Sequence, residues 1–191
     1  MDTHKAIRSK HLVEDILIID GQPGCGKTLF SSLLSYLKRV EVIQFSPHIE
    51  NICGLYELGK ISLDVCKTMA EIEIDLLIYE SMMSRNTNFR FSDISSVFKH
   101  RQLTKYLKRL FMKGDEFVPE RIKLEKPILS LTTHNLLSYS KPIFESFPKK
   151  IKLIEIVRHP LYMLIQMALN YQTMLKTEAS RFFYVHIEKD G

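Results

Sequence analysis

Eight consecutive residues, Gly21-Gln22-Pro23-Gly24-Cys25-Gly26-Lys27-Thr28, carry the spacing G-x-x-x-x-G-K-[ST], which is chemistry for holding an anion. In such a loop the backbone N–H groups of residues 24–28 converge on one point. Gly24 and Gly26 allow a close approach that a side chain would block, Lys27 brings a mobile positive charge, and Thr28 offers a hydroxyl to phosphate or Mg²⁺. The flanks suit the task. Residues 16–20 form a short apolar, β-branched run of the kind buried on both faces of a sheet. After the loop, Leu29, Phe30, Leu33, Leu34 and Leu37 recur at helical spacing through LFSSLLSYLKRV, with Lys38 and Arg39 where they complement the C-terminal dipole. A strand feeding a helix N-terminus through glycines places amide dipoles and a lysine on the same bound phosphate. The alternative, a tight strand-to-helix turn with an incidental lysine, explains the glycines but not the G-K-T.

The elements that must position this loop follow from periodicity. Residues 41–45 (EVIQF) predict a second strand, residues 47–73 a largely helical stretch interrupted at Gly54 and Gly59, and residues 75–79 (DLLIY) a third strand. Residues 81–96 are polar and irregular. Residues 97–113 have helical spacing in Phe98, Leu103, Tyr106, Leu107, Leu110 and Phe111, with Gly114 in the stop position. Residues 128–131 and 151–157 predict the fourth and fifth strands, Pro160 opens a long apolar helix to about Lys176, and residues 182–187 predict a sixth strand. Strands alternating with helices imply an α/β fold, three-layer and P-loop NTPase-like, with a mostly parallel sheet covered by helices on both faces. A chain of 191 residues with 45% hydrophobic residues suits one domain over residues 1–191. Ligands of such sheets bind at the carboxyl ends of the strands, here the loops after Asp20, Tyr79, Leu131 and Val157.

Residues 127–172, PILSLTTHNLLSYSKPIFESFPKKIKLIEIVRHPLYMLIQMALNYQ, form an ordered series. A strand ends in Thr133-His134, a short helical stretch follows, Phe147-Pro148 precede a strand containing Lys152, and Val157-Arg158-His159-Pro160 open a helix. This series, behind a phosphate loop, resembles the sulfotransferase family that uses 3′-phosphoadenosine 5′-phosphosulfate. The resemblance implies transfer of a sulfuryl group to a hydroxyl or amine, with His134 as the catalytic base and Arg158 on the 3′-phosphate of the donor. Residues 24–29, namely Gly24, Cys25, Gly26, Lys27, Thr28 and Leu29, would grip the 5′-phosphosulfate, and Lys27 would neutralise the departing bridging oxygen. The chain departs from the family in three places. Its lysine stands at Lys27 rather than directly after the proline, where Gly24 lies; Gln166 replaces the serine that joins the arginine on the 3′-phosphate; and Thr132 stands where a lysine often precedes the histidine. General chemistry agrees with the two carried-over residues. An arginine at a strand end before free helix amides makes a fork-and-dipole site for a dianion, and a histidine can take a proton near neutral pH. Lys27 and amide dipoles would supply the positive field, so no metal is implied.

The intact G-K-T keeps a second expectation open: an ATP-dependent kinase in which Lys27 bridges phosphates while Thr28 and Glu80, at the end of the third expected strand, handle Mg²⁺. A nucleotide-binding member without turnover is a third. Residues 82–98 suit a substrate loop, with Arg85 and Arg90 as contacts to an anionic acceptor; a polar surface excursion explains them equally. Net charge is +5 with pI near 9.0. The excess is concentrated between Arg85 and Lys126, where eleven Lys/Arg face five acids, a pattern read as a solvated face because no nucleic-acid motif accompanies it. Three cysteines without a CxxC pair argue for a reducing compartment. With no signal-peptide apolar region and no stretch long enough to span a bilayer, the expectation is cytoplasmic. The methionines, including Met163, Met167 and Met174, read as core filling. The ending at Glu188-Lys189-Asp190-Gly191, without a closing helix, reads as a shortened version of a longer enzyme.

Overall fold

The computed structural model describes residues 4–34, 36–93 and 95–176. The strand expected over 182–187 and the Met174 side chain lie outside what is described. The elements run β1 (Asp15–Asp20), α1 (Lys27–Leu34), β2 (Gln44–Phe45), α2 (Pro47–Glu57), α3 (Leu63–Ser81), a 3-10 turn (Val97–Lys99), α4 (Leu103–Arg109), α5 (Phe117–Glu125), β3 (Ile128–Thr132), a second 3-10 turn (Leu136–Tyr139), α6 (Lys141–Ser146), β4 (Ile151–Glu155) and α7 (Pro160–Lys176). The four strands form one sheet in the order β2-β3-β1-β4, parallel throughout. The fold is therefore α/β.

The sheet is built around β1. Its register pairs Ile16 with Leu129 on β3 and with Ile151 on β4, and residues 16–19 of the strand leading to the glycine loop are flanked on both sides. Alternate residues point to opposite faces. Ile16 and Ile18 enter the main core with Ile49, Ile74, Leu129, Leu131 and Phe147, while Leu17 and Ile19 are buried on the other face. Among the described residues no helix is long and apolar enough to cross a membrane.

Several expectations are corrected here; the strand expected over 41–45 is reduced to Gln44–Phe45. Residues 75–79 are not a strand but the middle of α3. A short apolar run reads alike in either structure, and the longer pattern decides: Cys66, Ala70, Ile74, Ile78 and Met82, four apart, are all fully buried. Asp75, on the same helix, is buried as well, and its Oδ1 accepts the amides of Leu12 and Val13 at 2.9 and 3.0 Å. The helical stretch before it breaks only at Gly59, in the left-handed region at φ +65°; Gly54 sits inside α2.

The helix expected over 97–113 is instead the first 3-10 turn followed by α4. His100 Nδ1 accepts the Gln102 amide at 3.2 Å between them. The core takes Val97, Tyr106 and Arg109, and leaves Phe98 and Phe111 exposed. Finally, α1 is shorter than LFSSLLSYLKRV suggested, and Leu29, Leu33 and Leu37 stay exposed. Of the methionines, Met82, Met83 and Met163 are buried and Met69 and Met112 are exposed.

Candidate functional site

Sequence-predicted residues meet where β1, β3 and β4 end. Asp20, the last residue of β1, is fully buried, and the chain then turns through Gly21 (φ +136°), Gly24 (φ +88°) and Gly26 (φ +113°) into α1. Two of these glycines are required by close approach. A Cβ on Gly21 would stand 2.5 Å from the carbonyl oxygen of Ile156, and one on Gly24 would stand 2.3 Å from Cγ of Gln166. Above Gly26 a Cβ would meet nothing within 4 Å, so the mouth of the loop is open. Because the obstacle at Gly21 is backbone, Gly21→Ala is expected to lower stability by about 1–3 kcal/mol. A thermal melt unchanged from wild type would refute that.

Lys27 is 7% exposed. Its ammonium donates to the carbonyl of Gly21 and, at 3.1 Å, to that of Gln22. Burial pulls its pKa below the ordinary lysine value, against the opposing influence of the Cys25 thiol and the carboxylates of Asp20, Glu50 and Glu155. Thr28 and Leu29 are exposed at the start of α1, and Cys25 is half-buried.

The loop after β3 is fastened to this turn by Asp20. Its Oδ1 accepts the Thr133 hydroxyl and the Asn135 amide, both at 2.8 Å, and its Oδ2 accepts the Leu137 amide at 2.7 Å. Gln22 Nε2 adds a bond to Asn135 Oδ1 at 3.1 Å. Asn135 holds φ +84°, a conformation that Asn tolerates better than most residues. His134 sits inside this bracket. Its amide donates to the buried Glu50, its ring Nδ1 lies 3.8 Å from Glu50 Oε2, and Phe45 meets the ring edge-on with centroids 5.0 Å apart.

On the other side of β1, β4 delivers Arg158. Its Nη1 donates to the Gly24 carbonyl at 3.4 Å, and its guanidinium lies 5.8 Å from the Tyr162 ring. Gln166 packs on Gly24 and donates to Asn170 Oδ1 at 3.2 Å; Asn170 Nδ2 donates to the Pro23 carbonyl at 3.3 Å. Arg158 and Gln166 are thus both brought to the glycine loop.

Arg85 and Arg90 are held elsewhere. Arg85 lies 3.5 Å from Asp115 and Arg90 3.6 Å from Asp93. Glu80, expected at a strand end, lies on α3, and β3, the strand beside β1, ends in Thr132 and Thr133. The magnesium-binding carboxylate of the kinase expectation is therefore missing from the place that reading gave it.

Sequence reasoning did not single out Asp20, Glu50, Asn135, Glu155 or Asn170. Asp20 had a signal, a charged residue closing an apolar run. Asn170 had another, a polar partner four residues after Gln166 on an apolar helix. Glu50, on α2, and Glu155, on β4, had none, since only tertiary packing brings them near Lys27. The Glu155 carboxyl, paired in register with Asp20, is raised above the usual carboxylate range by desolvation and by the Asp20 charge. Comparison of the chain with protein-family models, with curated proteins and with solved structures returns no match.

Proposed function

We propose that this protein is a P-loop enzyme of sulfotransferase type, moving a sulfuryl group from 3′-phosphoadenosine 5′-phosphosulfate to a hydroxyl or amine. The observation that carries the proposal is Arg158 at the Gly24 carbonyl. A guanidinium on the glycine loop suits a ligand with phosphate at two positions. The opening amides of α7, expected to be free, are not part of that support, since Pro160 has none, Leu161 donates to His159 Nδ1, and Tyr162 and Met163 donate to the His159 carbonyl. On the β3 side of β1 the strand ends in Thr132 and offers no terminal carboxylate for Mg²⁺; the carboxylates at the strand ends are Asp20, held by Thr133, Asn135 and Leu137, and Glu155 on β4.

The donor supplies an activated sulfur attached through a bridging oxygen to its 5′-phosphate. Glycine-loop amides bind that phosphate, and Lys27, released from the Gly21 and Gln22 carbonyls, neutralises the bridging oxygen. The acceptor oxygen or nitrogen forms a bond to sulfur while the bond from sulfur to the bridging oxygen breaks, its electron pair leaving with the bisphosphate. The acceptor's proton passes to His134. His134 Nδ1 lies 3.8 Å from Glu50 Oε2 and makes no hydrogen bond among the described residues, so Glu50 acts on the imidazole through its charge, which favours the protonated ring once the proton has arrived. Arg158 and Gln166 hold the 3′-phosphate.

Calorimetric titration with adenosine 3′,5′-bisphosphate and with Mg·ATP tests this reading. The bisphosphate is expected to bind wild type and to weaken roughly 10–100-fold in Arg158→Ala, the size expected of one charge-assisted fork. Mg·ATP binding that is indifferent to Arg158, with no bisphosphate binding, would replace the proposal with the kinase reading.

A further inference from the structure

A cleft of about 740 Å³ opens beside Thr28, within the size range of small-molecule sites. Thr28 and Leu29 form its wall on the loop side, and Ser130 and Thr132, alternate residues of β3 that share a sheet face, form another. Val40 and Val42 supply apolar lining, and Ser92, Asp93, Ser95, Ser96, Lys99 and His100 close the far side. The sheet order puts this cleft and Arg158 on opposite sides of β1, because β3 and β2 lie to one side and β4 to the other. Thr28 belongs to both the phosphate loop and the cleft, so a ligand in the cleft lies alongside whatever the loop holds.

The two carboxylates that line the cleft are engaged by cations. Glu41, at one wall, is engaged by Lys105 and by a bidentate Arg109. Asp93 is engaged by Arg90 and by the side chains of Asn88 and Ser92. Lys99 faces the carbonyl of Ser92 at 3.4 Å. His100 is kept toward its neutral form by burial, and its Nε2 is buried without a hydrogen-bond partner among the described residues. Arg85 and Arg90, the cations expected to draw an anionic acceptor, do not line the cleft. What remains on its walls is a set of hydroxyls, from Thr28, Ser92, Ser95, Ser96, Ser130 and Thr132, over an aliphatic surface.

We infer that this cleft is the acceptor subsite and that it takes an uncharged, hydroxyl-bearing compound with an apolar body. The inference rests on the transfer reading above and names the acceptor class for it. Hydroxyl side chains both donate and accept, which suits a polyol head. The carboxylates lining the cleft are already engaged by cations, which disfavours a cationic head, and Lys99, at the Ser92 carbonyl near Asp93, is the lining cation whose pull on an anion the sulfate analogue measures.

The test uses the full chain and octyl β-D-glucoside below its micelle concentration, followed by ¹H–¹⁵N NMR, with octyl sulfate and octylamine as anionic and cationic analogues on the same tail. Saturable shifts are expected at the amides of Thr28, Val42, Ser96 and His100, with the glucoside at least tenfold tighter than either analogue. Ser95→Trp, at an exposed position on the rim, is expected to weaken the glucoside at least tenfold while melting where wild type melts. Tighter binding of octyl sulfate would overturn the neutral-acceptor assignment. So would the absence of saturable shifts, or shifts centred on the exposed Leu161, Leu164 and Ile165 of α7. Loss of the glucoside response alongside intact, Arg158-dependent bisphosphate binding would overturn this subsite alone. Glucoside binding in the cleft without any bisphosphate binding would instead sink the transfer reading.

Discussion

Arg109→Ala is expected to destabilise the protein by about 3–5 kcal/mol, a large share of the roughly 5–15 kcal/mol that holds a domain together. Glu41 is buried, and four side chains donate to it: Arg109 at 2.7 and 3.1 Å, Lys105 at 2.6 Å, the Tyr106 hydroxyl at 2.8 Å and the Ser81 hydroxyl at 3.4 Å. Arg109 is itself buried and also reaches the Ser81 carbonyl, Met82 Sδ and Glu125. Burial alone would raise the Glu41 pKa, but the hydrogen bonds and charge of Arg109, with Lys105, hold it below the usual carboxylate value. Removing the guanidinium leaves that carboxylate desolvated with one partly exposed lysine as its remaining cation. Denaturant unfolding of Arg109→Ala, Glu41→Leu and the double variant Glu41→Leu/Arg109→Met checks the argument. The double variant is expected to be more stable than Arg109→Ala, since an apolar pair carries no stranded charge. A loss under about 1 kcal/mol in Arg109→Ala would show that Lys105 and Tyr106 suffice.

The second large effect falls on Asp20. Asp20→Ala leaves a hydroxyl and two amides without their acceptor and is expected to cost about 2–4 kcal/mol. Amide exchange at Asn135 and Leu137 should quicken more than exchange across β1, because the bracket around His134 loosens before the sheet does. The same carboxylate gives a pH signature. Burial raises its pKa, yet the Leu137 amide, the Thr133 hydroxyl and the amides of Gly21 and Leu136 together hold it below the ordinary value. A depressed folded-state pKa means stability that is complete above the unfolded value near 4 and is lost as pH falls through the folded value. Glu41 acts with the same sign. Wild type should therefore lose stability steeply below about pH 4, and Asp20→Asn, which cannot take up that proton, should show a shallower acid branch. Equal slopes in the two proteins would remove Asp20 from the account.

These two carboxylates also show where reading the chain stops. By composition the basic stretch between Arg85 and Lys126 reads as a solvated face. Arg109 and Lys105 instead turn inward to a glutamate 68 and 64 residues away, and Arg121 is spent on the carbonyls of Met82 and Lys113. Composition counts charges but does not say which of them a fold needs inside. The DLLIY run failed as a strand for a related reason: its apolar density is the same in either structure, and only the four-residue ladder from Cys66 to Met82, packed on the sheet, selects the helix.

The glycine loop was legible because its causes are local. A buried apolar run, glycines at positions that demand positive φ, and a helix beginning at Lys27 all fall within about twenty residues, and neighbours along the chain dictate them. His134 and Arg158 were legible as residues that close strands. The bonds that tie Asn135, next to His134, and Arg158 to the glycine turn were not. Asp20 is bound to Asn135 across 115 positions and Arg158 to Gly24 across 134, and both contacts exist because β3 and β4 pair with β1 on opposite sides. The sequence by itself determined an anion-binding turn and the strand ends around it. Tertiary structure decided what surrounds that turn, because strand pairing and burial are set by the whole core.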